Sequence, residues 1–172
     1  MADPTTQRQQ TFQSLLDRHA NIVLKVANTY CWHPEDRRDL SQEIRTQLWR
    51  AFPAYDETRR FSTWMYRVAL NVAISHVRRA IARRDHTTEL LRDDLEVVDE
   101  RGDADTQDAR IALLQCFIHG LDPLNRALLL LYMEEHSYAE IAEVLGITTT
   151  NVATKINRLK QRIRTQITSA DR

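Results

Sequence analysis

Hydrogen-bonding and cationic side chains cluster on one side of a short segment near the C-terminus. They are Thr149, Thr150, Asn151, Thr154, Lys155 and Arg158. Threonine and asparagine offer hydrogen bonds to the edges of nucleic-acid bases, and lysine and arginine offer contacts to guanine or phosphate. Apolar residues at helical spacing alternate with this set: Val152, Ile156, Leu159 and Ile163. The pattern predicts an amphipathic helix that buries one stripe and presents a base-reading tip.

The elements upstream of this helix predict how it is held. Ser137 and Glu140 have the spacing of a capping box at the start of a short helix. Gly146 suits the left-handed residue that follows a helix end, and Thr148 or Thr149 can cap the last helix. This is a helix-turn-helix, in which the start of the second helix enters the major groove. The alternative is a corner of two core helices with a solvated outer face.

Charge is strongly segregated along a chain of 172 residues whose formal net charge is zero. Residues 37–84 carry 11 basic and four acidic residues, residues 85–108 carry two basic and ten acidic, and residues 148–172 carry six basic and one acidic. Two basic blocks therefore flank an acidic middle, which favours a polyanionic partner such as a phosphate backbone. Solvent-exposed helix faces would explain any one of these blocks. They explain the alternation of basic, acidic and basic blocks less well.

Hydrophobic periodicity predicts an all-α fold, because only three glycines and four prolines interrupt the chain and strand-type alternation is scarce. We predict helices over residues 11–29, 34–52, 63–84, 109–120 and 124–133, followed by the helix-turn-helix pair. Pro34 suits the first turn of the second helix, Ser62 the cap of the third, and Asp122 with Pro123 the start of the fifth. Residues 85–108 lose the apolar pattern and read as a linker.

Other classes of protein fit poorly. The N-terminal residues lack the apolar core of a secretory signal. The longest apolar run, residues 127–133, is far short of the ~18 residues that a membrane span needs, so no membrane insertion is expected. Cys31 and Cys116 make neither a disulfide framework nor, with His33, a metal shell. We expect no metal, no cofactor and a reducing, cytoplasmic location.

Two long segments resemble a known family. The run "DLSQEIRTQLWRAFPAYDETRRFSTWMYRVALNVAISHVRR" resembles region 2 of bacterial RNA polymerase sigma factors of the extracytoplasmic-function (ECF) group, and "LDPLNRALLLLYMEEHSYAEIAEVLGITTTNVATKINRLKQRIR" resembles their region 4. The resemblance implies two small helical domains, a region 2 domain at 11–84 and a region 4 domain at 109–168, joined by the acidic linker at 85–108. It also implies a non-enzymatic factor that binds core polymerase and directs promoter-specific initiation.

The resemblance implies that the "DLSQE" face docks on the β′ clamp of the polymerase through Asp39, Leu40, Gln42 and Glu43. Arg38 stands where the family commonly has an acidic residue, which weakens or retunes this docking. The alternative is a solvent-exposed face without a partner, whose acidic residues near the N-terminus of the helix interact favourably with the positive end of the helix dipole.

The resemblance also implies that part of region 2 reads the −10 promoter element as separated strands. The matching residues are Tyr55, Asp56, Arg59, Arg60, Phe61, Arg67, Asn71, Ser75, Arg78 and Arg79. Asn71 hydrogen-bonds a base and the arginines hold phosphates, whereas Ser75 replaces a usual acidic or amide residue. Trp64 is interpreted as a core residue, with a stacking platform for an unpaired base as the alternative. Trp49 and Leu48 are likewise interpreted as core residues.

The resemblance to region 4 implies that the Thr149–Arg158 face reads the −35 element as duplex DNA. Ala153 departs from the family, because its position is often occupied by a basic residue. Residues 124–133 face the polymerase β-flap or their own core. The linker resembles the segment that approaches the RNA exit path. A separate anti-sigma factor is the expected regulator.

Two other classes remain as alternatives. A free-standing helix-turn-helix regulator would need a dimer interface, and no long heptad provides one. A nuclease would need acids that converge on a metal, and Asp36, Asp39 and Glu43 have no second cluster to meet.

Overall fold

The structure is a computed structural model that describes residues 4–87, 114 and 116–170, with side chains over 6–83, 114 and 116–165. These residues form helices and connecting turns without a strand, so the all-α prediction is confirmed. The predicted linker lies outside the described residues from residue 88 onward. Most of the predicted 109–120 helix also lies outside them, and 116–119 are helical.

The predicted helix over 11–29 is wrong in one respect, because it is two helices. These are α1 (Pro4–Arg18) and α2 (Ala20–Tyr30), which meet at His19. His19 has φ −116° and ψ 17°, and its amide donates to the Leu16 carbonyl at 3.2 Å, three residues back. Phe12 of α1 lies against Phe52, with 5.0 Å between ring centroids, and α2 packs on the following helices.

The next helix, α3 (Pro34–Ala51), begins with proline as predicted and ends in a single 3-10 turn, Phe52–Ala54. The long helix α4 (Phe61–Thr87) starts two residues earlier than predicted. Ser62 therefore lies inside the first turn and the prediction that it caps the helix is wrong. The Arg60 carbonyl accepts the first helical hydrogen bond, from the Trp64 amide at 3.2 Å.

The core of this N-terminal domain is built from the predicted apolar stripes of α2, α3 and α4. The fully buried members include Val23, Val26, Leu40, Ile44, Leu48, Met65 and Leu70. Trp64 is half-buried, as a residue that packs against this core. Trp49 differs from the prediction, since 39% of it is exposed although its ring lies 5.2 Å from that of Phe12.

The C-terminal domain contains α5 (Pro123–Met133), α6 (Tyr138–Leu145) and α7 (Thr149–Ala170). Asp122 caps α5 by accepting a hydrogen bond from the Asn125 amide at 3.1 Å, as its position before proline predicts. Leu128, Leu131, Ile141 and Ile156 are buried to 1% exposure or less and form the core in which α5, α6 and α7 pack together. Met133, at the end of α5, is 56% exposed.

The two domains are packed against each other, with α2 and α4 against α5 and α4 against α6. Tyr30 is buried at the contact and its hydroxyl donates to the Pro123 carbonyl at 2.6 Å. The Arg126 guanidinium lies 5.9 Å from the centre of the Tyr30 ring. No local pattern of residues predicts this packing, because its contacts join distant segments: Tyr30 and Pro123 lie 93 residues apart.

Candidate nucleic-acid and polymerase interfaces

The start of α7 is fixed by its cap and by its buried stripe. The Thr148 hydroxyl accepts a hydrogen bond from the Asn151 amide at 3.2 Å, so Thr148 is the cap of the two threonines considered. Val152, Ile156 and Leu159 are 0–2% exposed. Because these three side chains set the rotation of the helix, the opposite face is turned to solvent.

The predicted −35 residues occupy that free face. Thr149, Thr150, Asn151, Thr154 and Arg158 are exposed, and Lys155 is half-buried. The Thr154 hydroxyl donates to the Thr150 carbonyl at 3.0 Å, which leaves its oxygen able to accept. Short polar side chains therefore lie at the tip of the helix, and a guanidinium lies one turn further on.

The helix α6 holds α7 through a tight turn. Ser137 and Glu140 form the predicted capping box: the Ser137 hydroxyl accepts from the Glu140 amide at 3.2 Å, and the Ser137 amide donates to the Glu140 carboxylate at 2.9 Å. The hydrogen bonds from the Ser137 backbone and hydroxyl lower the pKa of Glu140. Gly146 has φ +67°, the left-handed value predicted, and the chain turns there into α7.

The loop before α4, predicted to hold a −10 base, is internally braced. The Tyr55 hydroxyl donates to the Arg59 carbonyl at 2.6 Å. Asp56 accepts from the Thr58 hydroxyl at 2.7 Å and from the Thr58 amide at 3.0 Å, and these bonds lower the pKa of Asp56. The rings of Tyr55, Phe61 and Trp64 lie 5.0 to 5.4 Å apart. Phe61 is buried, so it shapes the loop rather than offering its own face to a ligand.

A polar stripe continues from this loop along α4. Arg67, Asn71, Ser75 and Arg78 are exposed and recur every three or four residues, which places them on one face of the helix. Arg79 is turned towards α3, where its guanidinium forms an ion pair with Glu43. The structure thus brings four of the predicted −10 residues into a line and places a fifth at the edge of the predicted polymerase surface.

The residues of the predicted polymerase-binding face on α3 differ in their exposure to solvent. Asp39 and Gln42 are exposed, whereas Leu40 is 0% exposed and belongs to the core. Glu43 accepts from Arg79 and lies 3.2 Å from Nδ1 of His76. Burial opposes the charged form of Glu43, but hydrogen bonds from Arg79 and His76 outweigh it and lower the pKa.

Two contacts join the predicted −10 arginines to the helix-turn-helix. The Arg59 guanidinium donates to the Glu143 carboxylate at 3.2 Å, and that of Arg60 donates to the Glu140 carboxylate at 3.3 Å. Sequence reasoning missed Glu143 and gave Glu140 only its capping role, because pairing across 80 or more residues leaves no local signal. It missed His76 because its partner Glu43 lies on another helix, 33 residues earlier in the chain.

Within the described residues no helix combines the length and apolarity that a bilayer span requires. Over the same part of the chain, no three His, Cys, Asp or Glu side chains gather as a metal shell would need.

Comparison with known proteins identifies the family. The family model for sigma-70 region 2 matches residues 15–83, and that for sigma-70 region 4 matches residues 111–163. The ECF RNA polymerase sigma factor SigW of Bacillus subtilis (strain 168) is 26% identical over 92% of this chain and 90% of its own length. The ECF factor SigE of Mycolicibacterium smegmatis is 30% identical over 90% of this chain, which spans 60% of that protein.

Solved structures share the fold. The sigma factor RpoE of Bartonella quintana, crystallised with the anti-sigma factor NepR, aligns with a TM-score of 0.65 at 17% identity over 95% of this chain and 98% of its own. CnrH, in complex with the cytosolic domain of CnrY, aligns with a TM-score of 0.54 at 21% identity over 94% and 90%. The two matched regions and the ECF relatives show that the chain belongs to the sigma-70 family, as a sigma factor of the ECF group that directs RNA polymerase in transcription initiation.

Proposed function

We propose that the factor reads promoters with two separate faces, the tip of α7 for the −35 duplex and the loop with the α4 stripe for the opened −10 element. The observation that carries this proposal is the stripe of Arg67, Asn71, Ser75 and Arg78, which is exposed along one helix and continuous with a braced loop. A rigid row of cationic and amide groups suits a single strand, whose phosphates and unpaired base edges are both accessible.

In the −10 complex, Asn71 donates to and accepts from the edge of an unstacked base, and Arg67 and Arg78 hold phosphates on either side. The braced loop at 55–60 forms the wall of the base pocket. Asp56 supports this wall through Thr58, whose hydroxyl and amide both donate to Oδ1 of Asp56.

In the −35 complex, α7 enters the major groove with Thr150, Asn151 and Thr154 towards the bases. Arg158 lies farther from the tip and suits a phosphate or guanine. Lys155 is half-buried, so its aliphatic stem packs on the domain and only its ammonium reaches the DNA.

The exposed part of the α3 face binds the polymerase. Asp39 and Gln42 contact the β′ clamp directly. Glu43 shares its carboxylate with Arg79 and His76, and therefore links the docking face to the −10 stripe. Leu40 contributes by holding the helix in the core. The end of α5 around Met133 is the apolar surface available to the β-flap.

Control by a protein partner is the expected regulation, since two solved structures with this fold are complexes, one with an anti-sigma factor and one with the cytosolic domain of CnrY. The factor acts in the cytoplasm, where polymerase and chromosome are. It works by binding alone, without a catalytic centre or a cofactor of its own.

Run-off transcription with core polymerase over a library of genomic promoters tests the proposal. We expect initiation at a defined subset, lost in Asp39→Arg and reduced at the strand-opening step in Asn71→Ala. Asn21→Ala, an exposed asparagine on α2, is the matched control. Tight duplex binding without polymerase, and no initiation with it, would instead support a free-standing regulator.

A further inference from the structure

The cationic face of α7 continues beyond the residues assigned to the −35 element. Lys155, Arg158 and Arg162 follow one another at intervals of three and four residues, which places them on one face of the helix. Arg162 is exposed, as Arg158 is. The row of cations therefore extends one further turn towards the C-terminus, past the short polar side chains at the tip.

Arg162 has an aromatic partner from outside its own helix. Its guanidinium carbon lies 5.9 Å from the centre of the Phe117 ring. Phe117 belongs to the helical residues 116–119 that precede α5, and it is half-buried against the core. A guanidinium near an aromatic face is attracted by the quadrupole of the ring. Because the core fixes the ring, the contact restricts the orientations of a long and otherwise mobile side chain.

The contact leaves the hydrogen-bonding groups of Arg162 available. A phenyl ring has no oxygen or nitrogen acceptor, so the N–H donors of the guanidinium are not used up by it. Among the residues that the structure describes, neither Arg158 nor Arg162 forms an ion pair. Lys160 differs from both, since it is turned towards α5, where its Nζ lies 4.5 Å from the centre of the Tyr132 ring.

The position of Arg162 along α7 suits the border of a DNA groove rather than its floor. Arg162 follows Thr154 by eight residues, which is about 12 Å along a helix axis. The major groove of B-DNA is about 12 Å wide, and phosphates line both of its edges. When the tip of α7 reaches the bases, a side chain one groove width farther along the helix therefore meets the bordering backbone.

We infer that Arg162, positioned by Phe117, binds a backbone phosphate at the edge of the −35 element and adds affinity without reading sequence. The inference rests on the proposed function, in which the tip of α7 reads the −35 duplex. A guanidinium binds phosphate through two parallel hydrogen bonds, which makes its orientation important. Phe117 does not contact the DNA. It is a positioning residue that acts through Arg162.

The salt dependence of DNA binding tests the phosphate contact. Binding of core polymerase with this factor to a promoter duplex is measured at a series of potassium chloride concentrations. The slope of log affinity against log salt should become shallower by about 0.9 in Arg162→Gln, which is the contribution of one phosphate. At about 0.15 M salt the affinity should be about fivefold lower. Lys160→Gln is the matched control, because it removes the same charge from the other side of α7 and should leave the slope unchanged.

A panel of single-base −35 variants tests whether the contact is independent of sequence. Arg162→Gln should lower the affinity for every member of the panel by the same factor, so that the ratios between members stay as in the wild type. Ratios that change in Arg162→Gln would assign this arginine to a base edge and overturn the inference.

Substitutions of Phe117 test the positioning role. Phe117→Leu keeps an apolar side chain but removes the ring, and should weaken binding about twofold, as expected for an exposed cation–π contact. The salt slope should be retained, because Arg162 keeps its charge. Phe117→Tyr, which keeps the ring, should restore the affinity. In an Arg162→Gln background Phe117→Leu should have no further effect, whereas an equal loss in both backgrounds would reduce Phe117 to packing alone.

The outcomes separate this inference from the proposed function. An unchanged slope in Arg162→Gln, with wild-type discrimination between −35 sequences intact, would overturn the inference and leave the proposed function standing. Equal changes of slope in Arg162→Gln and Lys160→Gln would show an effect of net charge and would also overturn it. Wild-type binding that ignores the −35 sequence would count against the proposed function, and the inference would fall with it. Circular dichroism confirms that each variant is folded.

Discussion

The hydroxyl of Tyr30 donates a 2.6 Å hydrogen bond to the carbonyl of Pro123, and so ties α2 of the first domain to the first residue of α5 in the second. Tyr30 is only 4% exposed. Burial, the largest effect, raises the pKa of Tyr30 far above its ordinary value, although Arg126 nearby acts in the opposite direction. The neutral hydroxyl therefore remains a donor throughout the physiological pH range.

Tyr30→Phe should weaken this tie without changing the shape of the core. We expect a loss of ~1 kcal/mol in the free energy of unfolding, because the Pro123 carbonyl then lacks a buried partner. Urea titration followed by circular dichroism measures the change. Tyr138→Phe, in the half-buried Tyr138 of α6, should change stability by less than ~0.5 kcal/mol. Equal losses in both variants would show that the hydrogen bond to Pro123 has no special role.

The dependence of the free energy of unfolding on alkaline pH provides a second test of the Tyr30–Pro123 hydrogen bond. A raised folded-state pKa means that the stabilisation is complete below the unfolded pKa of about 10 and falls as the pH rises beyond it. Wild-type stability should therefore decline above about pH 10 more steeply than that of Tyr30→Phe. Parallel profiles for the two chains would contradict the burial of this hydroxyl.

Gly146 is required by its backbone conformation rather than by a lack of space. Its φ is +67°, and a Cβ there would meet nothing within 4 Å. Gly146→Ala should cost ~1 kcal/mol, because an L-residue is strained in the left-handed region. Gly120→Ala is the matched control, since its Cβ would meet two carbonyls at an ordinary 3.5 Å. Thermal unfolding should show a lower Tm for the first variant and little change for the second.

The charged Glu43 carboxylate should stabilise the fold at neutral pH, and this stabilisation should be lost in acid. Burial disfavours its charge, yet the hydrogen bonds from Arg79 and His76 lower its pKa below 4.5. A lowered folded-state pKa gives stability that is present above the unfolded value and is lost as the pH falls through the folded one. The difference in unfolding free energy between wild type and Glu43→Gln should therefore shrink from neutral pH towards about pH 3. Glu57→Gln, which removes the same charge from the exposed loop, is the control variant.

Local sequence signals predicted the helix-turn-helix almost completely. The Ser137–Glu140 box, Gly146 and the threonine cap each depend on residues within four positions of one another, so a linear sequence contains them. The buried stripe of α7 was predictable for the same reason, because helical periodicity fixes which side chains share a face.

The errors lie where distant segments decide the outcome. The helix break at His19 accompanies a contact between Phe12 and Phe52, which lie far apart in the chain. The helix α4 starts early because the carbonyl of Arg60, at the end of a loop, accepts its first hydrogen bond. Leu40 and Phe61 were named as partner contacts from their place in a motif, but the tertiary core buries both. The ion pairs of Arg59 and Arg60 join α6 and the loop only because the domains pack together.

Substitutions of two asparagines on α7 can distinguish base recognition from phosphate binding. Asn151 and Asn157 are both exposed asparagines on this helix, but they lie six residues apart and hence on different faces. Asn151→Ala should lower discrimination between −35 sequences by about 1–3 kcal/mol, as expected for a lost base contact. Asn157→Ala should leave discrimination unchanged.

Competition binding of polymerase with this factor to a panel of single-base −35 variants measures the effect. Neither substitution alters the cap, since the bond to Thr148 uses the Asn151 backbone amide and alanine favours the helix. A uniform loss of affinity in Asn151→Ala over the whole panel would assign Asn151 to the phosphate backbone. Equal effects of the two substitutions would mean that α7 lies in the groove with a rotation different from the one its buried stripe sets.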